Sequence, residues 1–407
     1  MDKRILWFGD IGRRNGFSVI SEAVIPLLAK DYKITVLAPP EEQIIDPFYC
    51  ENVDVVHVGD PCTDMNYENF IKMVPEAPAE QLRMKYALLQ AGFLCDANKI
   101  NCLVFLGGSF VIEWFMRLIN QRRTCIPSKI VVWTTFESIP SHESVFNLLK
   151  ADVVLTTNPV SSDKLGEYSK LTDNKGVVDW VGHGVSPEFF SLDKKSVIKK
   201  LNKVSHEFYL CSKKIKETDT IILNANNFLP RKRLDITMKL YARLFDSIQT
   251  KKPKLWLHTN TRHPMFDELM NRYKDYFDSG YVIVTHNDVT KERLNWIYNA
   301  CDYGLQTSTG EGWSLTNCEH EATGGTQIVP NFLATGFNFE YTGVLLPITE
   351  TTEKDELGND ATVGLVDPDD DETLNVLKNC VVTKLRKDKQ EKYTWELAST
   401  RIKEHLL

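Results

Sequence analysis

Apolar and polar residues along this chain follow two alternating periods. Runs of consecutive apolar residues, beginning with Arg4-Ile5-Leu6-Trp7-Phe8, give way to glycine-bearing turns and then to stretches where apolar residues recur every three or four positions. The runs are too short for helices and too continuous for strands with one wet face, so they predict parallel strands covered on both sides. In the first half these are Arg4–Phe8, Lys33–Leu37, Val53–Val58, Cys102–Leu106, Ile130–Thr134, Asp152–Thr156 and Val177–Val181. Between them, helices are predicted from the Gly9 to Gly16 turn to Ala29, along a face marked by Leu82, Tyr86, Leu89 and Phe93, and over Phe110–Ile119. Strand-helix-strand repetition of this kind builds a doubly wound α/β sheet.

The alternation pauses between Ser191 and Lys216, where lysines crowd a stretch that reads as a connecting region, helical in part. It restarts with Ile221–Ala225, a helix carrying Ile236, Leu240 and Leu244, the strand Leu255–His258, a helix after Pro264, and Val282–Thr285. Leu294, Ile297, Tyr298 and Cys301 then mark a helix face that leads into the strand Tyr303–Gln306. Asn331–Val363 has little periodicity and reads as an irregular excursion. Glu372–Leu385 and Glu391–Leu407 read as terminal helices. The domains expected are therefore 1–190, a connection over 191–216, and 217–390.

A chain of 407 residues exceeds one ordinary core and suits two. Its formal charge of −7 argues against a dedicated nucleic-acid binder, which needs a basic footprint. The nine cysteines are scattered without a C-x-x-C pair, which predicts reduced thiols in a cytoplasmic protein rather than a disulfide framework or a zinc site. The apolar run after Met1-Asp2-Lys3-Arg4 stops at Gly9-Asp10, unlike a signal peptide, and Glu113 and Arg117 break the one long apolar stretch, so a soluble protein is expected. The first turn is spaced G-x-x-G-x-x-x-G and no acid closes the second strand, so a bound NAD is not expected.

The chemistry concentrates in Thr307–Pro330. Glu311 stands between Gly310 and Gly312, and a helix is expected to begin near Ser314. Free amides at Ser314, Leu315 and Thr316 suit a diphosphate, and the flanking glycines would let the backbone approach it. Glu319 falls about one and a half turns into that helix. Carboxylates beside phosphates make sense as acceptors for neighbouring sugar hydroxyls. Asn227-Phe228-Leu229-Pro230-Arg231-Lys232-Arg233 sets three cations before a helix, which reads either as a solvated basic turn or as a second claim on the same anion. His183 lies between Gly182 and Gly184, and His286 ends a strand in Thr285-His286-Asn287. Asp369-Asp370-Asp371 reads as an acidic loop before a helix, and no D-x-D element suits a metal.

Asp302–Pro330 resembles the signature of retaining glycosyltransferases of family 4, through Asp302, Ser308, Glu311, Gly312, Trp313, Ser314, Leu315, Glu319, Gly324 and Gly325. Two further segments match it. Lys232 falls on the lysine of a Gly-Arg-x4-Lys-Gly loop, and Val181–Phe190 is similar to a histidine-glycine-valine segment that ends the first domain. The resemblance implies the GT-B fold, two Rossmann-like domains facing each other across a cleft, with the C-terminal helix 391–407 returning to the first domain. It implies Glu311 on donor-sugar hydroxyls, Glu319 on the ribose, Arg231 and Lys232 with the Ser314 to Thr316 amides on the diphosphate, and His183, His286 and the Gly16 turn around the donor. The chain departs from the pattern where Asn227 replaces the arginine, where Arg233 replaces the glycine, and where no histidine follows Trp133-Thr134-Thr135-Phe136-Glu137. Glu137 and His142 are the nearest polar groups there, and no general base is assigned.

Metal-independent transfer of a hexose from a nucleoside diphosphate sugar to a glycan or lipid-linked hydroxyl acceptor follows, with GDP-mannose the first donor to consider. The host cytosol would be the compartment if the chain is virus-encoded, and peripheral membrane contact stays open. A nucleotide-sugar epimerase and a non-catalytic sugar-nucleotide binder remain alternatives on the same fold.

Overall fold

The computed structural model describes residues 3–38, 44–58, 79–121, 129–172, 176–204, 214–286, 289–385 and 393–406. It divides into two compact units, one comprising 1–184, 354–360 and 393–407 and the other 185–353 and 361–392. Each carries its own parallel sheet.

The strands of the first unit are β1 (Arg4–Phe8), β2 (Lys33–Ala38), β3 (Val53–His57), β4 (Cys102–Gly108), β5 (Lys129–Thr135), the two-residue β6 (Ile139–Pro140), β7 (Val153–Thr156) and β8 (Val177–Trp180). Seven of them form one sheet in the order β3-β2-β1-β4-β5-β7-β8, with every pairing parallel. The continuous apolar runs are explained by burial on both faces: Ile5, Leu6, Trp7, Val131, Val132 and Trp133 are all solvent-inaccessible. Trp7 and Trp133 meet edge to face with ring centroids 6.4 Å apart. The helix Gly16–Leu28 starts where the Asn15 side chain accepts from Ser18 N, and Pro159–Leu171 starts the same way at Asn158.

The helix Ala79–Ala97 exists, but among its described side chains the buried ones are Tyr86, Ala87, Gln90, Ala91, Leu94 and Cys95. Leu89 and Phe93, expected inside, are exposed, and the side chain of Leu82 lies outside the described residues. A wide helix face can be centred one position either way, and the sheet beneath selects the centre.

The second unit contributes β9 (Ile221–Ala225), β10 (Lys254–Thr259), β11 (Val282–His286), β12 (Tyr303–Leu305), β13 (Thr326–Pro330) and β14 (Val344–Leu346), in the parallel order β11-β10-β9-β12-β13-β14. Both sheets thus reverse direction of strand succession once, between β1 and β4 and between β9 and β12. Strand ends at such a reversal point leave a crevice where ligands of α/β proteins bind.

One expectation for this half is corrected. The helical part of the stretch read as a connection is Lys194–Lys203, whose Val197, Ile198 and Leu201 share a core with Trp256, Ile297 and Tyr298. Its lysines lie on the opposite, wet face of an amphipathic helix. Asn331–Val363, read as irregular, contains the helix Leu333–Phe339 and strands β14, β15 (Thr349–Lys354) and β16 (Asp360–Leu365). These elements are too short to print a period.

The last helix, Trp395–Lys403, belongs to the first unit. Trp395, Ile402 and Leu406 are buried there, Lys403 reaches Asp31 at 2.5 Å, and His405 Nε2 sits 3.0 Å from Asp179. Gly184 permits this docking, because a Cβ built on it would stand 2.3 Å from the Trp395 amide nitrogen. No helix among the described residues is long and apolar enough to cross a membrane.

Candidate functional site

The two strands flanking the reversal point of the second sheet deliver both halves of the motif to one place. β9 runs into the loop 226–233 and the helix Leu234–Ser247, while β12 runs into the loop 306–314 and the helix Leu315–Ala322. Buried polar side chains tie the loops together. Asn224 Nδ2 donates to Leu305 O at 3.0 Å and to Thr237 Oγ1 at 2.9 Å. Thr307 Oγ1 donates to Arg233 O at 2.9 Å, so in its 2.7 Å contact with Thr237 the latter must be the donor. Thr309 N donates to Arg231 O at 2.8 Å. Arg231 and Lys232 are therefore held over the β12 loop by backbone and buried hydroxyls, not by charge alone.

Charge then closes the contact. Glu311, 5% exposed, accepts at Oε1 from Lys232 Nζ, from Arg231 Nη1 at 3.2 Å and from Gln306 Nε2 at 2.7 Å. Burial raises its pKa, but the charges of Lys232 and Arg231 outweigh burial and hold the carboxyl below its ordinary value. The third cation goes elsewhere. Arg233 pairs with Asp235 at 3.1 and 2.9 Å, so Arg231 is the arginine that joins Lys232 at Glu311. Arg233 also sits in the left-handed region, φ 48°, the conformation a glycine adopts most readily. Asn227 is exposed, and its carbonyl accepts from Leu229 N at 2.9 Å.

Gly312 and Trp313 continue the buried loop, and Trp313 O accepts from Asn338 Nδ2 at 2.8 Å. Ser314 is left-handed too, φ 73°, and turns its hydroxyl toward Asn317 Oδ1 at 2.8 Å and Gln306 Oε1 at 3.2 Å. Its side chain makes no cap bond to the helix that starts at Leu315, which leaves the first-turn amides of Leu315 and Thr316 to other acceptors. Asn317 passes the network to Gln327 at 2.8 Å. Gly304 has room for no Cβ, which would lie 2.2 Å from Gln327 Oε1.

Glu319 stands on the same helix, 8% exposed, and its Oε2 accepts from Tyr298 Oη at 2.8 Å rather than from the cationic pair. Burial dominates here and lifts its pKa to about 7. The Tyr298 ring stacks on His320, centroids 5.5 Å apart. At the end of β11, His286 is half-buried beside His258, whose Nδ1 is 2.9 Å from Thr285 Oγ1 and whose pKa burial lowers to about 4. Asn287 lies outside the described residues.

In the first unit the picture differs from expectation. His183 is 2% exposed, with Trp133 5.5 Å and Trp395 6.0 Å from its ring, and burial lowers its pKa to about 3. It is a neutral ring buried between two tryptophans, where the sequence reading placed a donor-side histidine without an assigned role. Gly184, which follows it, makes room for the last helix. Gly16 opens the first helix, whose start Asn15 already caps. Arg13 is paired to Asp10 at 3.2 Å and Arg14 to Asp46 at 3.3 Å. His142 meets Phe146 and Tyr168 edge to face.

Sequence reasoning missed Tyr298, Gln306 and Asn317. Tyr298 had a usable signal: a phenol on the core face of a helix needs a buried partner. The amides had none, since their partners lie on other elements.

No family model matches the chain, and no curated protein matches it in sequence. Solved structures do match in shape. Sucrose-phosphate synthase from Thermosynechococcus elongatus superposes with a TM-score of 0.62 at 14% identity, over 99% of this chain and 95% of that one. HepE of Anabaena, solved with UDP and glucose, gives 0.60 at 12% identity over 99% and 98%. A UDP-forming α,α-trehalose-phosphate synthase from Burkholderia vietnamiensis gives 0.66 at 11% over 99% and 98%. Likeness at such low identity speaks to architecture, and the architecture it gives this chain, two Rossmann-like parallel sheets, is that of the GT-B glycosyltransferases.

Proposed function

We propose that this chain is a glycosyltransferase of the retaining family 4 type, moving a hexose from a nucleoside diphosphate sugar to a hydroxyl acceptor. The observation that carries the reading is the convergence of Arg231 and Lys232 on Glu311 beside a helix start without a side-chain cap, at the reversal point of the second sheet. Two cations and first-turn amides supply the positive charge that a departing diphosphate requires, so transfer is read as metal-independent. In this reading Glu311 exchanges its cationic partners for hydroxyls of the donor sugar when the diphosphate takes Arg231 and Lys232. Glu319 receives the ribose. The leaving phosphate accepts the acceptor's proton, which accounts for a site read without an enzymatic base.

The solved structures of similar shape favour nucleotide sugars as a class, HepE having been solved with UDP-glucose. Within that class GDP-mannose is the first donor to test, on the motif resemblance, with a glycan or lipid-linked acceptor and a cytoplasmic site of action. The test is a thermal-shift screen of GDP-, UDP- and ADP-sugars, followed by product analysis with acceptor mixtures. One donor should raise the melting temperature of the wild type and not of Lys232→Ala, and its nucleoside diphosphate should appear on adding acceptor with the anomeric configuration kept. No response to any nucleotide sugar would overturn the reading. Binding without turnover across acceptors would replace it with the sugar-nucleotide-binding alternative, and acceptor-independent release of the nucleotide would favour the epimerase.

A further inference from the structure

One buried hydroxyl beside the site has no part in the transfer as described. Tyr298 is inaccessible to solvent, its ring set against His320 and Phe189 with centroids 5.5 Å away in each case, and its Oη lies 2.8 Å from Glu319 Oε2. The packed ring fixes where the phenolic oxygen sits, and its hydrogen bond ties Oε2, one of the two carboxylate oxygens, to that place. His320 is itself anchored, Nε2 lying 3.3 Å from Cys301 O, and Gly325 gives it room, because a Cβ there would come within 2.1 Å of the ring.

Building on the reading of Glu319 as the ribose acceptor, we propose that Tyr298 is a positioning residue: it holds Glu319 by Oε2 so that Oε1 is presented to the ribose hydroxyls, and it thereby sets the selectivity for ribonucleotides over deoxyribonucleotides. Other charges near Glu319 do not substitute for this bond. Lys291 favours the carboxylate and Glu188 opposes it, but the two pair with each other at 3.7 Å. Cys318, on the same helix, is a neutral thiol because burial raises its pKa well above the ordinary value. The phenol is the direct hydrogen-bond partner of the carboxylate.

The experiment is calorimetric titration of UDP and GDP, and of their 2′-deoxy and 3′-deoxy forms, into wild type, Tyr298→Phe, Glu319→Gln and the double variant, between about pH 6 and about pH 8.5. The ribo-to-deoxy affinity ratio is taken within each protein, so a partly unfolded variant does not distort it. Wild type should prefer the ribonucleotide by roughly tenfold or more, as expected for a hydrogen bond to a charged group. Tyr298→Phe should lose most of that preference. It should also shift upward the pH at which binding strengthens, which in wild type falls near the Glu319 value of about 7, because the Tyr298 hydrogen bond lowers that value. In the Glu319→Gln background, Tyr298→Phe should change neither. A Tyr298→Phe protein with wild-type ratio and pH midpoint overturns the proposal and leaves the donor reading standing. A wild type that binds no nucleotide, or binds without ribose preference, overturns the assignment of Glu319 itself.

Discussion

Removing Lys232 tests the charge arrangement more sharply than removing any other side chain. In Lys232→Met the aliphatic stem is kept and the cation is lost, leaving Glu311, whose side chain is 6% exposed, with Arg231 alone. Truncating one partner of a buried ion pair costs roughly 3–5 kcal/mol, because the remaining charge stays desolvated. Arg231 still donates at 3.2 Å but is itself 28% exposed, so the lower end, about 3 kcal/mol, is expected. For a unit of roughly 200 residues that corresponds to a melting temperature lower by about 6–12 °C.

The pH dependence should change sign as well. In wild type the Glu311 carboxyl is held below its ordinary value, so its contribution is present above the unfolded pKa and is lost as pH falls through the folded one. In the variant burial wins, the carboxyl titrates above its unfolded value, and stability should rise as pH falls through that window. Urea denaturation across pH, followed by a probe in the second unit, reads both effects. The double variant Lys232→Met/Glu311→Gln should recover most of the loss. A single variant as stable as wild type at neutral pH, or one with the same pH slope, would refute the claim that Glu311 depends on Lys232 for its charge.

Two further outcomes follow from other parts of the molecule. Because burial lifts Glu319 to about 7, unbound wild type should lose stability on the order of 3 kcal/mol as pH rises from the unfolded carboxylate value to about 7, and Glu319→Gln should flatten that slope in pH-dependent urea titrations. Gly184→Ala should cost about 1–3 kcal/mol and raise amide exchange across Trp395–Lys403, since the new Cβ meets the backbone of Thr394 and Trp395, which cannot turn away as a side chain end could. Unchanged exchange in that helix would contradict the docking described.

What the sequence determined by itself was the class of fold and the stretch that carries the candidate site. Continuous apolar strands such as Ile5-Leu6-Trp7 suit the inside of a sheet covered on both faces, so their alternation with helices implies parallel α/β architecture. The Glu311 to Gly325 pattern is local and survives in a linear reading. Tertiary structure decided which distant groups act on it. Nothing in the chain states that β9 and β12, some 80 residues apart, are neighbours at the reversal point, yet that adjacency sets Arg231 and Lys232 on Glu311 and sends Arg233 to Asp235. His183 shows the converse: its glycine-flanked segment reads as a ligand loop, and only the packing of Trp133 and Trp395 makes it core. Tyr298 reads as one more apolar face position, and only the fold brings its hydroxyl to Glu319. Period and composition report which elements form and roughly which of their faces are covered. Which polar group meets it there depends on contacts between segments far apart in the chain, and those have no signature in one sequence.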